Sequence, residues 1–292
     1  MPTPIFQPGD EVLLRENGTE IRGVVCIVKG SQVTLSAQDG RKLTRDSRLI
    51  TRQCPAVARR RTLPLPPVHD RLTLLSQAVQ MVAHRLSPSL ILVGPPGLGK
   101  THEVTRTLKA LGLERDHDYF LFKGYTSARG LYETLYRHNG HLLVFDDCDN
   151  ALTNPWAVEL LKGALDSYDV RTISWLTAAR RSGQIPPQFD VTSSVIFISN
   201  RLLEEIDEPI HSRSLVIDLQ MTRAEILERM ESILPNLKTN ASPEQCRLAM
   251  SFLRKWAPHI QHLSLRSLLS VLRIIQAHPL NWEALATYAI TR

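Results

Sequence analysis

Residues 94–101 read Gly-Pro-Pro-Gly-Leu-Gly-Lys-Thr, directly after the apolar run Leu90-Ile91-Leu92-Val93 and ahead of a helical pattern that opens at Lys100. An apolar strand, a glycine-rich turn and a helix start, in that order, leave few folds open. The turn presents a row of backbone N–H groups at the positive end of the helix, which is a cradle for an anion. Gly94, Gly97 and Gly99 let the backbone curl, and Pro95, Pro96 and Leu98 complete the loop. The spacing fits a nucleoside phosphate: Lys100 reaches the β- and γ-phosphates, Thr101 offers its hydroxyl to Mg²⁺, and His102 follows in the first helical turn.

The residues around this loop alternate strand and helix. Apolar runs at Leu90–Val93, Tyr119–Phe122, Leu142–Phe145, Val195–Ile198 and Leu215–Leu219 are separated by helical patterns, among them Leu131–Arg137 and Ala157–Tyr168. Purely apolar strands between amphipathic helices predict a parallel sheet covered on both faces, hence an α/β fold. Leu142-Leu143-Val144-Phe145-Asp146-Asp147 places two carboxylates just beyond a strand, where the carboxyl edge of such a sheet meets a phosphate crevice. Asp146 is the candidate to hold Mg²⁺, directly or through water, and Asp147 the candidate to orient and deprotonate an attacking water.

The order of further polar residues resembles the AAA+ family of P-loop ATPases over residues 68–292. Val195-Ile196-Phe197-Ile198-Ser199-Asn200 resembles the sensor-1 strand, which implies that Asn200 positions the lytic water. Ile210-His211-Ser212-Arg213 resembles the box that carries an arginine finger into a neighbour's site. Leu263-Ser264-Leu265-Arg266-Ser267-Leu268 resembles sensor 2, with Arg266 as its arginine. Asp146 and Asp147 then resemble a Walker B pair, in which Asp147 stands where the family usually has Glu. The resemblance implies ATP and Mg²⁺ as ligands, ATP hydrolysis as the reaction, and a homo-oligomeric ring, expected to be a hexamer. The wording around Phe145-Asp146-Asp147-Cys148-Asp149 also resembles uncharacterised AAA+ ATPases of phages and mobile elements.

The 292 residues, 43% apolar and 22% charged, suffice for one large domain and one or two small ones. Residues 1–50 alternate apolar and polar runs between turn signals such as Asn17-Gly18 and Asp39-Gly40, predicting four or five short strands in a small all-β barrel. This part resembles SH3-like or KOW-type barrels, which bind nucleic acid or peptides; a plain docking or spacer domain, or a site for a partner protein, remains open. Residues 51–67, with Arg59, Arg60, Arg61, Pro64, Pro66 and Pro67, read as a basic, proline-rich linker. The α/β domain is expected over 68–221 and a helical lid over 222–292. No apolar run approaches the roughly 18 residues of a membrane span, and the start carries no leader pattern, so a cytoplasmic protein with no membrane partner is expected. Cys26, Cys54, Cys148 and Cys246 are scattered, without zinc or disulfide spacing.

Substrate signals are fewer. The net charge of +6 is concentrated in residues 1–65, which hold 11 Lys/Arg against 6 Asp/Glu. That excess suits nucleic acid or a solvated linker; DNA, in a replication or recombination setting, is the expected nucleic acid. Residues 171–176 and 189–192 alternate like two strands of an inserted hairpin, resembling the pre-sensor-1 hairpin, with Arg180 and Arg181 at its tip for a phosphate backbone or simply for solvent. Lys123-Gly124-Tyr125 follows the second strand, where AAA+ rings place substrate-gripping loops, so Lys123 and Tyr125 are further contact candidates. The expected function is ATP-driven remodelling or translocation of nucleic acid; the alternative is a protein unfoldase or remodelling chaperone.

Overall fold

A computed structural model describes residues 11–16, 19–29, 32–37, 41–46, 50–52, 66–176, 185–237, 239–278 and 280–291. The chain divides into two compact units, Met1–Leu65 and Pro66–Arg292. Residues Arg180 and Arg181, the Asn17-Gly18 and Asp39-Gly40 turns and the arginine run of the linker lie outside the described residues.

In the first unit, β1 (Glu11–Glu16), β2 (Thr19–Lys29), β3 (Gln32–Ala37), β4 (Lys42–Asp46) and β5 (Ile50–Arg52) form an antiparallel sheet in the order β4-β3-β2-β1-β5. The eleven-residue β2 changes register between Val25 and Ile27, the local irregularity that bends a strand. Along β3 the buried positions are Val33, Leu35 and Ala37, and Val25, Val33 and Leu35 form a small core. That period of two is the hydrophobic alternation read from the sequence.

The second unit opens with α1 (Val68–Ala83) and continues as an alternating series: β6 (Ser89–Val93), α2 (Lys100–Ala110), β7 (Tyr119–Lys123), α3 (Ala128–Arg137), β8 (Leu142–Asp146), α4 (Asn150–Thr153) and α5 (Pro155–Ala164). A short antiparallel pair, β9 (Thr172–Ser174) and β10 (Gln188–Asp190), precedes β11 (Ser194–Ile198), α6 (Glu208–His211) and β12 (Leu215–Asp218). The main sheet is parallel with the order β12-β6-β11-β8-β7. Alternate residues of its strands enter two separate cores. Leu90, Leu92, Val144, Ile196 and Ile198 face one cluster, while Ile91, Val93, Leu143, Phe145, Val195 and Phe197 face the other. Both faces are therefore covered, as continuous apolar runs require. The aromatic residues of the second face stack across neighbouring strands, Phe122 on Phe145 at 5.3 Å and Phe145 on Phe197 at 5.4 Å between ring centroids.

The C-terminal helices are α7 (Arg223–Ile233), α8 (Pro243–Trp256), α9 (Leu265–Ala277) and α10 (Trp282–Ile290). Thr222 with Glu225, and Ser242 with Gln245, cap α7 and α8 reciprocally, satisfying N–H groups that the helix leaves unpaired. These helices share the first core with α1, α2 and the sheet, through Met230, Leu253, Leu268 and Leu272. α1 ends at Ala83, two residues before Arg85 adopts a left-handed φ of 61°. α5 stops earlier than the apolar pattern over Ala157–Tyr168 suggests: it ends at Ala164, ahead of exposed Tyr168. Among the described residues no helix is long and apolar enough to cross a membrane.

Candidate active site

Three adjacent strands deliver the candidate residues to one edge of the sheet. β6 leads into the loop 94–99, β11 lies beside it and ends before Ser199 and Asn200, and β8 lies beside β11 and ends in Asp146. The loop needs its glycines for different reasons. Gly94, at φ 142°, passes so close to the next strand's exit that a Cβ would stand 2.5 Å from the Leu219 carbonyl oxygen. Gly97, at φ 79°, lies under the start of α9, where a Cβ would meet the Ser264 Cβ at 2.7 Å. Gly99 caps α2 in the left-handed region.

Lys100 is buried, and its ammonium donates to the Gly94 carbonyl at 2.6 Å, the Pro95 carbonyl at 2.9 Å and Asn200 Oδ1 at 2.8 Å. Burial pushes its pKa down to about 8, opposed by the charges of Asp147 and Asp146 and assisted by Arg266. The other end of the Asn200 amide donates from Nδ2 to Asp147 Oδ1 at 2.6 Å. One amide thus spans the phosphate-loop lysine and the candidate base. Asp147 is a non-glycine residue in the left-handed region, at φ 56°, and its N–H donates to the Ile198 carbonyl at 3.0 Å. Such a conformation costs about 1 kcal/mol or more and persists where surrounding bonds over-determine it. Cys148, next in sequence, is buried beneath the strand ends, and that burial raises its thiol pKa.

Asp146 is buried, and each of its oxygens has a partner. The Thr101 hydroxyl donates to Oδ1 at 2.9 Å, and Lys123 Nζ stands 2.7 Å from Oδ2. The oxygens of Thr101 and Asp146 suit a hard divalent cation. Mg²⁺ takes one or two protein oxygens and completes its shell from phosphate and water. The described residues contain no cluster of three or more His, Cys, Asp or Glu that could hold a metal ion. A Mg²⁺ ion held by Thr101 and Asp146 would supply charge to neutralise phosphate oxygens.

The cleft holding these residues measures about 1120 Å³ and is lined on one side by residues of α7 and α9. Arg266 enters it from the first turn of α9, and the Leu265 N–H donates to the Gly97 carbonyl at 2.9 Å. His102 lines the cleft beside Thr101, exposed, while Leu98 is buried. Residues that sequence reasoning missed also line it: His69 from α1, Arg229 from α7, and Arg273, two turns beyond Arg266 on the same face of α9. The seven-residue interval between the two arginines was the available signal. Arg229 bonds the buried Glu103 at 3.2 Å.

The remaining candidates lie elsewhere. Tyr125, two residues after Lys123, is 78% exposed. Arg213 stands at the opposite edge of the sheet: its carbonyl accepts from Ser89 Oγ at 3.3 Å at the start of β6, and its Nη1 donates to the Pro209 carbonyl at 3.0 Å. Arg201 is ion-paired with Asp149 and Glu205, and Arg223 donates to the carbonyls of Ala257 and Ile260.

No protein-family model matches the chain. It is 28% identical over 242 residues to an uncharacterized 36.7 kDa protein of the nrdC-mobD intergenic region of Enterobacteria phage T4, a match covering 75% of this chain and 73% of that protein. Among solved structures it is similar to a variant of Thermotoga maritima RuvB, at a TM-score of 0.48 and 16% identity over 76% of this chain and 68% of that one. It is also similar to NtrX from Brucella abortus in complex with ATP, at a TM-score of 0.46 and 18% identity over 74% and 53% of the two chains. A chain of the HORMA:CdnC:Trip13 complex from E. coli MS115-1 is similar at a TM-score of 0.44 and 12% identity, over 76% and 87%.

Proposed function

We propose that the chain is an AAA+ ATPase that works as a homo-oligomeric ring, expected to be a hexamer, and couples ATP hydrolysis to remodelling or translocation of nucleic acid. The observation that carries the hydrolytic part is the Asn200 amide, bonded at once to Lys100 and Asp147. In this reading Lys100 and the loop amides hold the β- and γ-phosphates, and Thr101 and Asp146 hold Mg²⁺. Asp147 takes the proton of the attacking water, Asn200 keeps that water in line, and Arg266 reaches the phosphates from the lid. Nucleic acid is supported by the basic excess of residues 1–65. Exposed Tyr125 and Trp156 suit stacking on bases or gripping of a polypeptide, which keeps a protein-remodelling role as the second reading.

Lys100→Ala removes the loop's only charge placed for the β/γ-phosphates, so ATP turnover is expected to fall to background. Turnover of the intact chain, measured alone and with single-stranded DNA, duplex DNA or a denatured protein, separates the two substrates. Stimulation by DNA alone supports the first reading and stimulation by protein alone supports the second. Near wild-type turnover in Lys100→Ala overturns the site.

A further inference from the structure

Lys123 ends β7 directly opposite Asp146, which ends β8, in a register shared with the Phe122–Phe145 pair before it. Its ammonium stands 2.7 Å from Asp146 Oδ2; the Lys123 side chain is 62% exposed, while Asp146 is buried. The Thr101 hydroxyl already bonds the other oxygen. The next residue, Gly124, is left-handed at φ 92°, and its N–H donates to the Asp146 backbone carbonyl at 3.3 Å. Exposed Tyr125 follows at once. The segment presenting this aromatic is therefore fastened to Asp146 twice, by side chain and by backbone.

We propose that Lys123 is a tethered counter-ion of Asp146 that Mg²⁺ displaces when nucleotide binds, and that this displacement frees the Lys123–Tyr125 segment to move. The inference rests on the nucleotide reading of the site. A metal held by Thr101 and Asp146 stands within about 6 Å of an ammonium on the same carboxylate and repels it, so metal binding weakens the Lys123 pair. The exposure of Lys123 gives the released ammonium an open route to water or to phosphate oxygens in the same cleft. Without the tether, the segment keeps the strand pairing of Lys123 and the Gly124 bond, both at its start, and Tyr125 loses the side-chain fastening beside it.

The test uses the full chain with saturating ATP analogue and measures the Mg²⁺ concentration at half-saturation, together with amide hydrogen exchange over residues 124–127. Lys123→Met removes the competing cation, so half-saturation is expected at about 2- to 5-fold lower Mg²⁺, the range of a partly exposed ion pair. Lys123→Arg keeps the cation and should retain the wild-type requirement. In the wild type, exchange over 124–127 should rise when Mg²⁺ is added to the nucleotide complex; in Lys123→Met it should already be high without metal. A Mg²⁺ requirement unchanged or raised in Lys123→Met, or exchange indifferent to Mg²⁺ in the wild type, overturns the proposal alone. Absence of nucleotide binding in the wild type overturns the reading beneath it as well.

Discussion

Lys100 keeps an ammonium in a buried position, with three acceptors for its three protons and a pKa lowered to about 8. An unfolded chain holds the same proton up to about 10.5, so between the two values the unfolded state binds more protons and this group's contribution to stability rises with pH. Below pH 8 the burial cost is fully present. Stability of the wild type relative to Lys100→Met, without nucleotide, should therefore grow by about 1–3 kcal/mol from pH 8 to pH 10; urea unfolding of both proteins across that range checks it, and a flat difference rejects the shift. The proton-holding lysine was legible from its place in the loop. Its bridge through Asn200 to Asp147 was not, because the three residues are far apart in sequence and only strand order brings β11 between β6 and β8. Lys123 was read from its neighbours Gly124 and Tyr125 as part of a substrate loop. Its placement on Asp146 depends on the register of β7 against β8, which no local pattern encodes.

At the scale of elements, the lid and the phosphate loop are joined at Gly97, where the first turn of α9 lies on the loop. Gly97 and Gly112 have nearly the same φ, 79° and 78°, but a Cβ at Gly112 meets nothing within 4 Å. Gly112→Ala should cost only the conformational strain, about 1 kcal/mol. Gly97→Ala adds a collision with the buried Ser264 and should cost about 2–4 kcal/mol, with loss of nucleotide affinity as Arg266 is carried off the cleft. Thermal unfolding of the two variants decides this, and equal losses would reject the lid contact. The helices of the lid were readable because their caps and periodicity are local. α5 stops short of its apolar pattern because Leu165, though buried, leaves the helix and β9 follows across the same face.

For the whole molecule, the position of Arg213 is the feature with the longest reach. It sits beside Ser89 at the amino edge of the sheet, about 16 Å along β6 from the phosphate loop at the other edge. If it is the finger that the resemblance implies, it serves a neighbouring subunit. Arg213→Ala should then bind ATP and hydrolyse it about 10³-fold more slowly, and mixing it with Lys100→Ala should restore part of the turnover. Constant turnover per subunit down to concentrations where only monomer exists would exclude this. The two cores on either face of the sheet carry a quieter consequence. Ile196 and Ile198 fill one and Val195 and Phe197 the other, so β11 cannot slide by a single residue without turning both sets inside out. The same slide would put Ser199 or Arg201 where Asn200 stands. The hydrophobic interior thereby acts as a vernier for the candidate site, and the place of Asn200 is set by the fit of apolar side chains into two cores.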